Sequence, residues 1–261
     1  MNGSAKARRL VVLATSEPGL DCVRILAGHG ADVALIAVDP ADRGGFNAEI
    51  AAVAERHGWR IVDWSELRRQ VDAEPLDARR PDLGISAWWP HILKQPLINW
   101  PVEGWLNFHP SLLPFNRGKN PNFWSLVEGT PVGATIHFID ESIDGGDIIA
   151  QAELAVSWTD TGESVYRSTQ QLCVKLFAEL APSLVAGAAL PRRRQPAPPT
   201  PIHYAVELDP ASEIRLDEAC TARKLLNVLR ARTFPPHPGA YFYDAGERYT
   251  VRVSIERSSD E

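Results

Sequence analysis

Asn107 and His109 stand two positions apart just before Pro110, and a carboxylate, Asp144, follows about 35 residues later in a Ser-Ile-Asp-Gly-Gly turn. A β-strand alternates its side chains, so on a strand Asn107 and His109 share one face while Phe108 points to the core. Together, an amide, an imidazole and a carboxylate are suited to acylating an amine. The amide can donate to a developing oxyanion, the imidazole can stabilise it or move a proton, and the carboxylate can orient and polarise the imidazole. No serine or cysteine is clearly placed as a nucleophile, which favours direct attack by a substrate amine over a covalent intermediate. Gly145 and Gly146, directly after Asp144, let the backbone turn tightly and approach a ligand closely.

These groups need a sheet to hold them. Leu10–Ala14 (LVVLA), Ala31–Val38 (ADVALIAV), Trp59–Val62 and Leu83–Ala87 (LGISA) read as buried strands. Helical spacing lies between them, over Leu20–Ala27 and from Asn47, a candidate cap, to about His57. This alternation predicts an α/β fold with a doubly wound sheet. Pro110 ends the strand that carries Asn107 and His109 and places both near its carboxyl end, where ligands bind in open α/β sheets.

Further along, Gly133–Ile139 (GATIHFI) alternates small or polar with apolar residues, which predicts a half-exposed strand with Ile148–Leu154 as its neighbour. A helix is expected from Thr159 or Thr161, with Val165, Leu172, Leu176, Phe177 and Leu180 as its apolar stripe. Leu190–Pro201 (LPRRRQPAPPTP) then reads as an extended, exposed linker. Beyond it, Leu216–Arg230 predicts a helix, and Ala240–Tyr243 with Tyr249–Ile255 a hairpin around Asp244-Ala245-Gly246. The expected organisation is a catalytic domain over 1–190, a Pro/Arg-rich linker over 191–205 and a small helix-plus-hairpin unit over 206–261.

Composition removes several classes of function. Lys and Arg number 27 against 33 Asp and Glu, a formal net charge of -6, so a broad nucleic-acid footprint is disfavoured. Cys22, Cys173 and Cys220 are far apart and in no metal-ligand spacing, so no metal is expected and the thiols suit a reducing compartment. No apolar run approaches the ~18 residues of a membrane span, and MNGSAKARRL is followed by no secretory apolar region. A cytoplasmic protein without membrane partners is expected. Gly28-His29-Gly30 begins a dinucleotide-like string but follows the first helix instead of opening it, so NAD is not expected.

Taken together, Asn107-Phe108-His109-Pro110-Ser111-Leu112-Leu113-Pro114, Gly133–Phe138 and Ile143-Asp144-Gly145-Gly146 resemble the formyltransferases that use N10-formyltetrahydrofolate. That family includes glycinamide ribonucleotide, methionyl-tRNA and nucleotide-aminosugar formyltransferases. The resemblance is strong over about 45 residues, and the α/β order matches over roughly Leu10–Leu190. It implies a Rossmann-like, mostly parallel seven-stranded domain without a dinucleotide, with catalytic roles falling on Asn107, His109 and Asp144. It also implies folate against the loop after the fourth strand (Trp88, Trp89, His91, Ile92, Leu93) and the loop before the catalytic carboxylate (Asp140, Ser142, Ile143). Trp88 and Trp89 read equally as core or as cover for the pocket.

The segment Phe115–Trp124 (FNRGKNPNFW) resembles that of formyltransferases acting on nucleotide-linked amino sugars. Arg117 and Lys119 could meet a diphosphate, and Asn116, Asn120 and Asn122 could bond sugar or base edges. The alternative reading is a solvated loop anchored by Phe123 and Trp124. Arg230–Ala240 is similar to an element after the catalytic domain in transfer-RNA and sugar formyltransferases. There Arg230 could reach a substrate phosphate, while Arg232 reads better as a surface ion-pair partner. The acceptor expected is therefore a dTDP- or UDP-linked amino sugar, with hydroxyornithine or an amino acid as the enzymatic alternative and a non-catalytic folate or nucleotide binder as the other class. The family resemblance also implies a homodimer.

Overall fold

The computed structural model describes residues 6–41, 45–73 and 80–258. Seven strands form one sheet in the order β3-β2-β1-β4-β5-β6-β7. They are β1 (Arg9–Ala14), β2 (Asp32–Val38), β3 (Ile61–Asp63), β4 (Leu83–Ala87), β5 (Trp105–His109), β6 (Val132–Phe138) and β7 (Ile148–Leu154). β1 pairs with β2 and β4, β2 with β3, and β4 with β5, all in parallel. The order runs outward in both directions from β1 and β4, so the loops leaving these two strands meet at a topological switch point. Thr15 Oγ donates to the Trp88 carbonyl there at 2.7 Å.

The chain divides into two compact units that interleave in sequence. The first takes the described residues through His109, Ile136–Gln151 and Cys173–Arg194, and the second takes Pro110–Thr135, Ala152–Leu172 and 195–258. In the first, the apolar runs of β1 and β4 are buried as strands covered on both faces must be. Val11, Leu13, Leu35, Trp89, Leu97 and Trp105 belong to one core cluster. Gly84 makes this packing possible, since a Cβ there would lie 2.3 Å from the Trp105 ring. α1 (Ser16–Gly28), α2 (Asn47–Arg56) and α3 (Trp64–Ala73) are the crossovers.

The second unit centres on α4 (Pro121–Glu128) and α6 (Ala222–Ala231), with Phe123, Trp124, Leu126, Val165 and Ala231 in its core. α5 (Gly162–Val185) begins in this unit and ends in the first. Thr221 caps α6 by accepting from Lys224 N at 3.2 Å. The hairpin β8 (Ala240–Asp244) and β9 (Glu247–Val251) turns at Ala245-Gly246, both at positive φ, the conformation a two-residue turn of this type demands.

Several expectations need correction. The third strand is Ile61–Asp63, and Trp64–Ala73 forms a helix that the sequence reading missed, because its apolar positions are few beside its charged ones. β6 is buried along its whole length, not half-exposed. It lies between two strands, and its polar side chains are satisfied inside the protein: Thr135 Oγ donates to Ser111 O at 2.7 Å and His137 Nδ1 lies 2.8 Å from Phe138 O. The last helix starts at Ala222, where the Thr221 cap fixes it, not at Leu216. Asn47 is the first helical residue of α2 and donates to Asp39 O at 2.8 Å instead of capping. The 191–201 stretch is extended but partly anchored, since Arg193 pairs with Ile148 and Gln195 is buried.

Candidate active site

Within the first unit, β5 delivers Asn107 and His109 from one face, as strand alternation requires. Phe108, between them, is buried and packs edge-on against Phe177 with ring centroids 5.3 Å apart. The Cys173 thiol lies 3.8 Å from the His109 carbonyl. The loop from β6 to β7 brings Asp144 to them in a left-handed conformation, φ 48°. Gly146 is needed two residues later, because a Cβ there would stand 2.0 Å from the Phe138 carbonyl.

His109 Nδ1 lies 3.5 Å from Asp144 Oδ2. The other oxygen of Asp144 lies 3.6 Å from His137 Nε2, and Asn107 Nδ2 lies 3.3 Å from the same nitrogen. The two histidine–carboxylate separations are longer than direct hydrogen bonds, whereas the Asn107 contact is within hydrogen-bond reach. His109 and His137 are both buried, while Asp144 keeps partial access to solvent. The expected Asn-His-Asp set is thus gathered in one place, with a second histidine that sequence reasoning missed. His137 was read as a polar position on a half-exposed strand, and only its alternation with Thr135 hinted that it shared a face with something.

His137 has a definable proton state. The Phe138 carbonyl can only accept, so it fixes the proton on Nδ1 and leaves the Nε2 lone pair to accept from Asn107. Burial is the largest influence and lowers its pKa from 6.5 to about 4, against the opposing pull of Asp144, with His109 acting in the same sense as burial. A neutral His137 therefore orients the Asn107 amide at neutral pH.

The expected folate residues take different positions. Trp89 and Leu93 are core, and Trp88, at φ 56°, stacks on Phe108. His91 bonds Asp39 at 3.0 Å and stacks on Trp64 with an interplanar angle of 4°. His91 and the exposed Ile92 line a cavity of about 480 Å³ with Trp64, Arg68 and Lys94, which the sequence reading did not single out. Asp140 accepts from Ser142 N at 2.8 Å, and with Ile143 half-exposed this loop leads directly to Asp144.

The expected acceptor residues lie in the second unit. Arg117 is buried, gives one N–H to Gln195 at 2.7 Å, and keeps a buried Nε with no hydrogen-bond partner among the described residues. Lys119 is exposed beside it, and Asn120 starts α4 from a left-handed conformation without a side-chain cap bond. Others are engaged by the protein itself. Asn116 bonds Glu128 and Thr130, and Asn122 donates to Gly162 O at 2.9 Å. Arg230 donates to Asn227 and to the Ser157 carbonyl at 2.7 Å, and lies over the Trp158 ring. Arg232 is buried, not a surface residue. Among the described residues, no cluster of His, Cys, Asp or Glu could hold a metal ion, and no helix is long and apolar enough to cross a membrane.

A seven-stranded α/β sheet presenting Asn, His and Asp from β5 and the β6–β7 loop defines a class, and comparison with known proteins agrees. Residues 24–180 match the formyl transferase family, and the chain belongs to it. It is an N-formyltransferase, and residues 207–257 match the N-formyltransferase dimerization C-terminal domain. It is 28% identical over 249 residues to a methionyl-tRNA formyltransferase of Geobacillus sp. (strain WCH70), covering 93% of this chain and 76% of that protein. A 4-N formyltransferase from Francisella tularensis superposes with a TM-score of 0.77 at 26% identity, covering 96% of this chain and 99% of that one. An N-formyltransferase from Helicobacter canadensis, in complex with folinic acid and dTDP-3-aminofucose, shares the fold at a TM-score of 0.68 and 16% identity, over 86% of this chain and 80% of its own.

Proposed function

We propose that this N-formyltransferase moves the formyl group of N10-formyltetrahydrofolate to the primary amine of a dTDP- or UDP-linked amino sugar. One observation carries the acceptor assignment. Arg117 is a buried cation whose Nε has no hydrogen-bond partner among the described residues. A buried, under-satisfied guanidinium is costly unless an anion meets it, and a diphosphate fits a planar fork of donors. Lys119 on the same loop adds a second cation and Asn120 a polar group. Asn116, Asn122 and Arg230 would shape this site through the bonds they already make.

In the reaction, the neutral amine attacks the formyl carbon, its nitrogen forms the new C–N bond, and the bond to folate N10 breaks as N10 takes up a proton. Asn107 donates to the oxyanion of the tetrahedral intermediate, and His109 stabilises the same charge. Asp144 holds His109, receives the proton lost by the amine, directly or through water, and passes it on to the departing N10 by the same route. The cavity beside His91 and Ile92 supports the folate assignment, because the Trp64 and His91 rings suit a flat heterocycle while Arg68 and Lys94 suit a carboxylate tail. Trp88, Trp89 and Leu93 would support that wall, and Asp140, Ser142 and Ile143 would form the facing loop.

The division into a 1–190 catalytic domain, a 191–205 linker and a 206–261 C-terminal unit is part of this proposal, supported by the two family matches on either side of the linker. A homodimer through the C-terminal unit is supported by the second match. Methionyl-tRNA is the competing acceptor, since relatives at 28% identity act in that name. The test incubates the protein and N10-formyltetrahydrofolate with dTDP- and UDP-linked amino sugars, methionyl-tRNA, glycinamide ribonucleotide and hydroxyornithine. A formyl mass gain on a nucleotide sugar is the expected outcome, and gain confined to any other amine refutes the acceptor assignment.

A further inference from the structure

The loop proposed to carry the acceptor does not hold its own shape. Asn116, Gly118 and Asn120 all have positive φ, which isolated loops rarely sustain in such close succession. A second segment of the same unit supports it. His203 N donates to Arg117 O at 3.0 Å and Lys119 N donates to His203 O at 2.8 Å, so the two segments pair across Gly118. Gly118 has to be glycine at this contact, because a Cβ would lie 2.1 Å from the His203 carbonyl. Asn116 N donates to Thr200 Oγ at 3.0 Å, and Arg117 donates to Gln195.

The His203 side chain fastens the arrangement. It is buried, and its ring lies flat on Trp124 with centroids 3.7 Å apart and planes 6° from parallel. Each ring nitrogen stands 3.0 Å from a carboxylate oxygen, Nε2 from Glu128 and Nδ1 from Glu207. Glu128 uses its other oxygen to accept from Asn116, and Asn116 in turn accepts from Thr130. A continuous chain of polar contacts thus runs from Glu207 through His203 and Glu128 to the first residue of the acceptor loop.

We propose that residues 195–207 form a clasp, and that His203 is the positioning residue that keeps Asn116–Lys119 in the conformation that receives the acceptor. The inference rests on the acceptor reading given above. His203 touches neither reacting group. It acts through the loop, so its loss should weaken acceptor binding while sparing the chemical step and folate.

The test compares the intact protein with H203A and with the milder Glu207→Gln, whose site is half-exposed and which leaves the ring stack intact. Hydrogen exchange over residues 115–120 should rise by about tenfold or more in H203A and by less in Glu207→Gln, with residues 105–109 unchanged. With a dTDP-linked 4-amino-4,6-dideoxyhexose as acceptor, its KM should rise about tenfold while kcat and the folate KM stay within about twofold. Unchanged exchange at 115–120 in both variants overturns the clasp, whatever the kinetics. Faster exchange with an unchanged acceptor KM, or no turnover of any dTDP- or UDP-linked amino sugar by the parent protein, leaves the clasp standing and overturns the acceptor reading. Should H203A fail to fold, the Glu207→Gln exchange decides.

Discussion

The roles proposed for the side chains around Asp144 make each of them testable by replacement. Replacing Asn107, His109 or Asp144 singly with Ala should lower kcat by about two to four orders of magnitude with folate affinity retained, measured by single-turnover formylation and fluorescence titration. Near-normal turnover in His109→Ala would sink the mechanism. His137 predicts a pH effect on stability. With its pKa lowered from 6.5 to about 4, the unfolded chain takes up a proton in that interval that the folded protein refuses. Its contribution is full above pH 6.5 and is lost as pH falls towards 4, by up to roughly 3 kcal/mol. Urea titrations between pH 4 and 7 should show this slope, and His137→Gln should flatten it. The grouping of Asn107, His109 and Asp144 in space was legible because each lies in a short motif with its own proline or glycines. His137 was not, because an alternating strand with one polar histidine reads the same whether that face meets solvent or an active site.

At the scale of elements, legibility followed the source of the ordering force. β1 and β4 were readable as buried strands because continuous apolar runs bury themselves on both faces, and α6 was misplaced by six residues because Thr221 fixes its start through one hydrogen bond. α3 escaped notice since Leu67 and Val71 are its main buried residues in a charged stretch. The contacts holding the Asn116–Lys119 loop were illegible for another reason, since Asn116 and Thr200 are separated by 84 positions and no local signal joins them. The turn before β7 gives a sharp test. Gly146→Ala forces a Cβ into the Phe138 carbonyl and should displace Asp144, lowering kcat by about a hundredfold while costing about 1–3 kcal/mol of stability. Activity within twofold of the parent would show that the turn relaxes without moving the carboxylate.

At the scale of the whole molecule, charge and assembly make predictions. A protein with a net charge of -6 should bind transfer RNA too weakly to show the steep salt dependence of phosphate-contacting proteins, as filter binding at low and moderate salt would show. A steep salt slope would favour the methionyl-tRNA reading. The β8–β9 hairpin stacks Phe242 on Tyr249 and leaves Tyr243 and Tyr249 half-exposed. Sedimentation should give two chains per particle, and Tyr249→Glu should shift that balance towards one. A parent protein that sediments as a single chain would remove the dimer from the proposal.

The interleaving of the two units bears on how such a protein can change its acceptor. The second unit draws on Pro110–Thr135, Ala152–Leu172 and the stretch from Gln195 onward, so no continuous segment contains it. A chimaera that exchanged only the C-terminal stretch between relatives would carry Ala231 and His203 away from Phe123 and Trp124, their packing partners. On the proposed placement of the acceptor in this unit, its preference should drift by coordinated point substitutions on segments distant in sequence, and resist transfer by recombination of whole blocks.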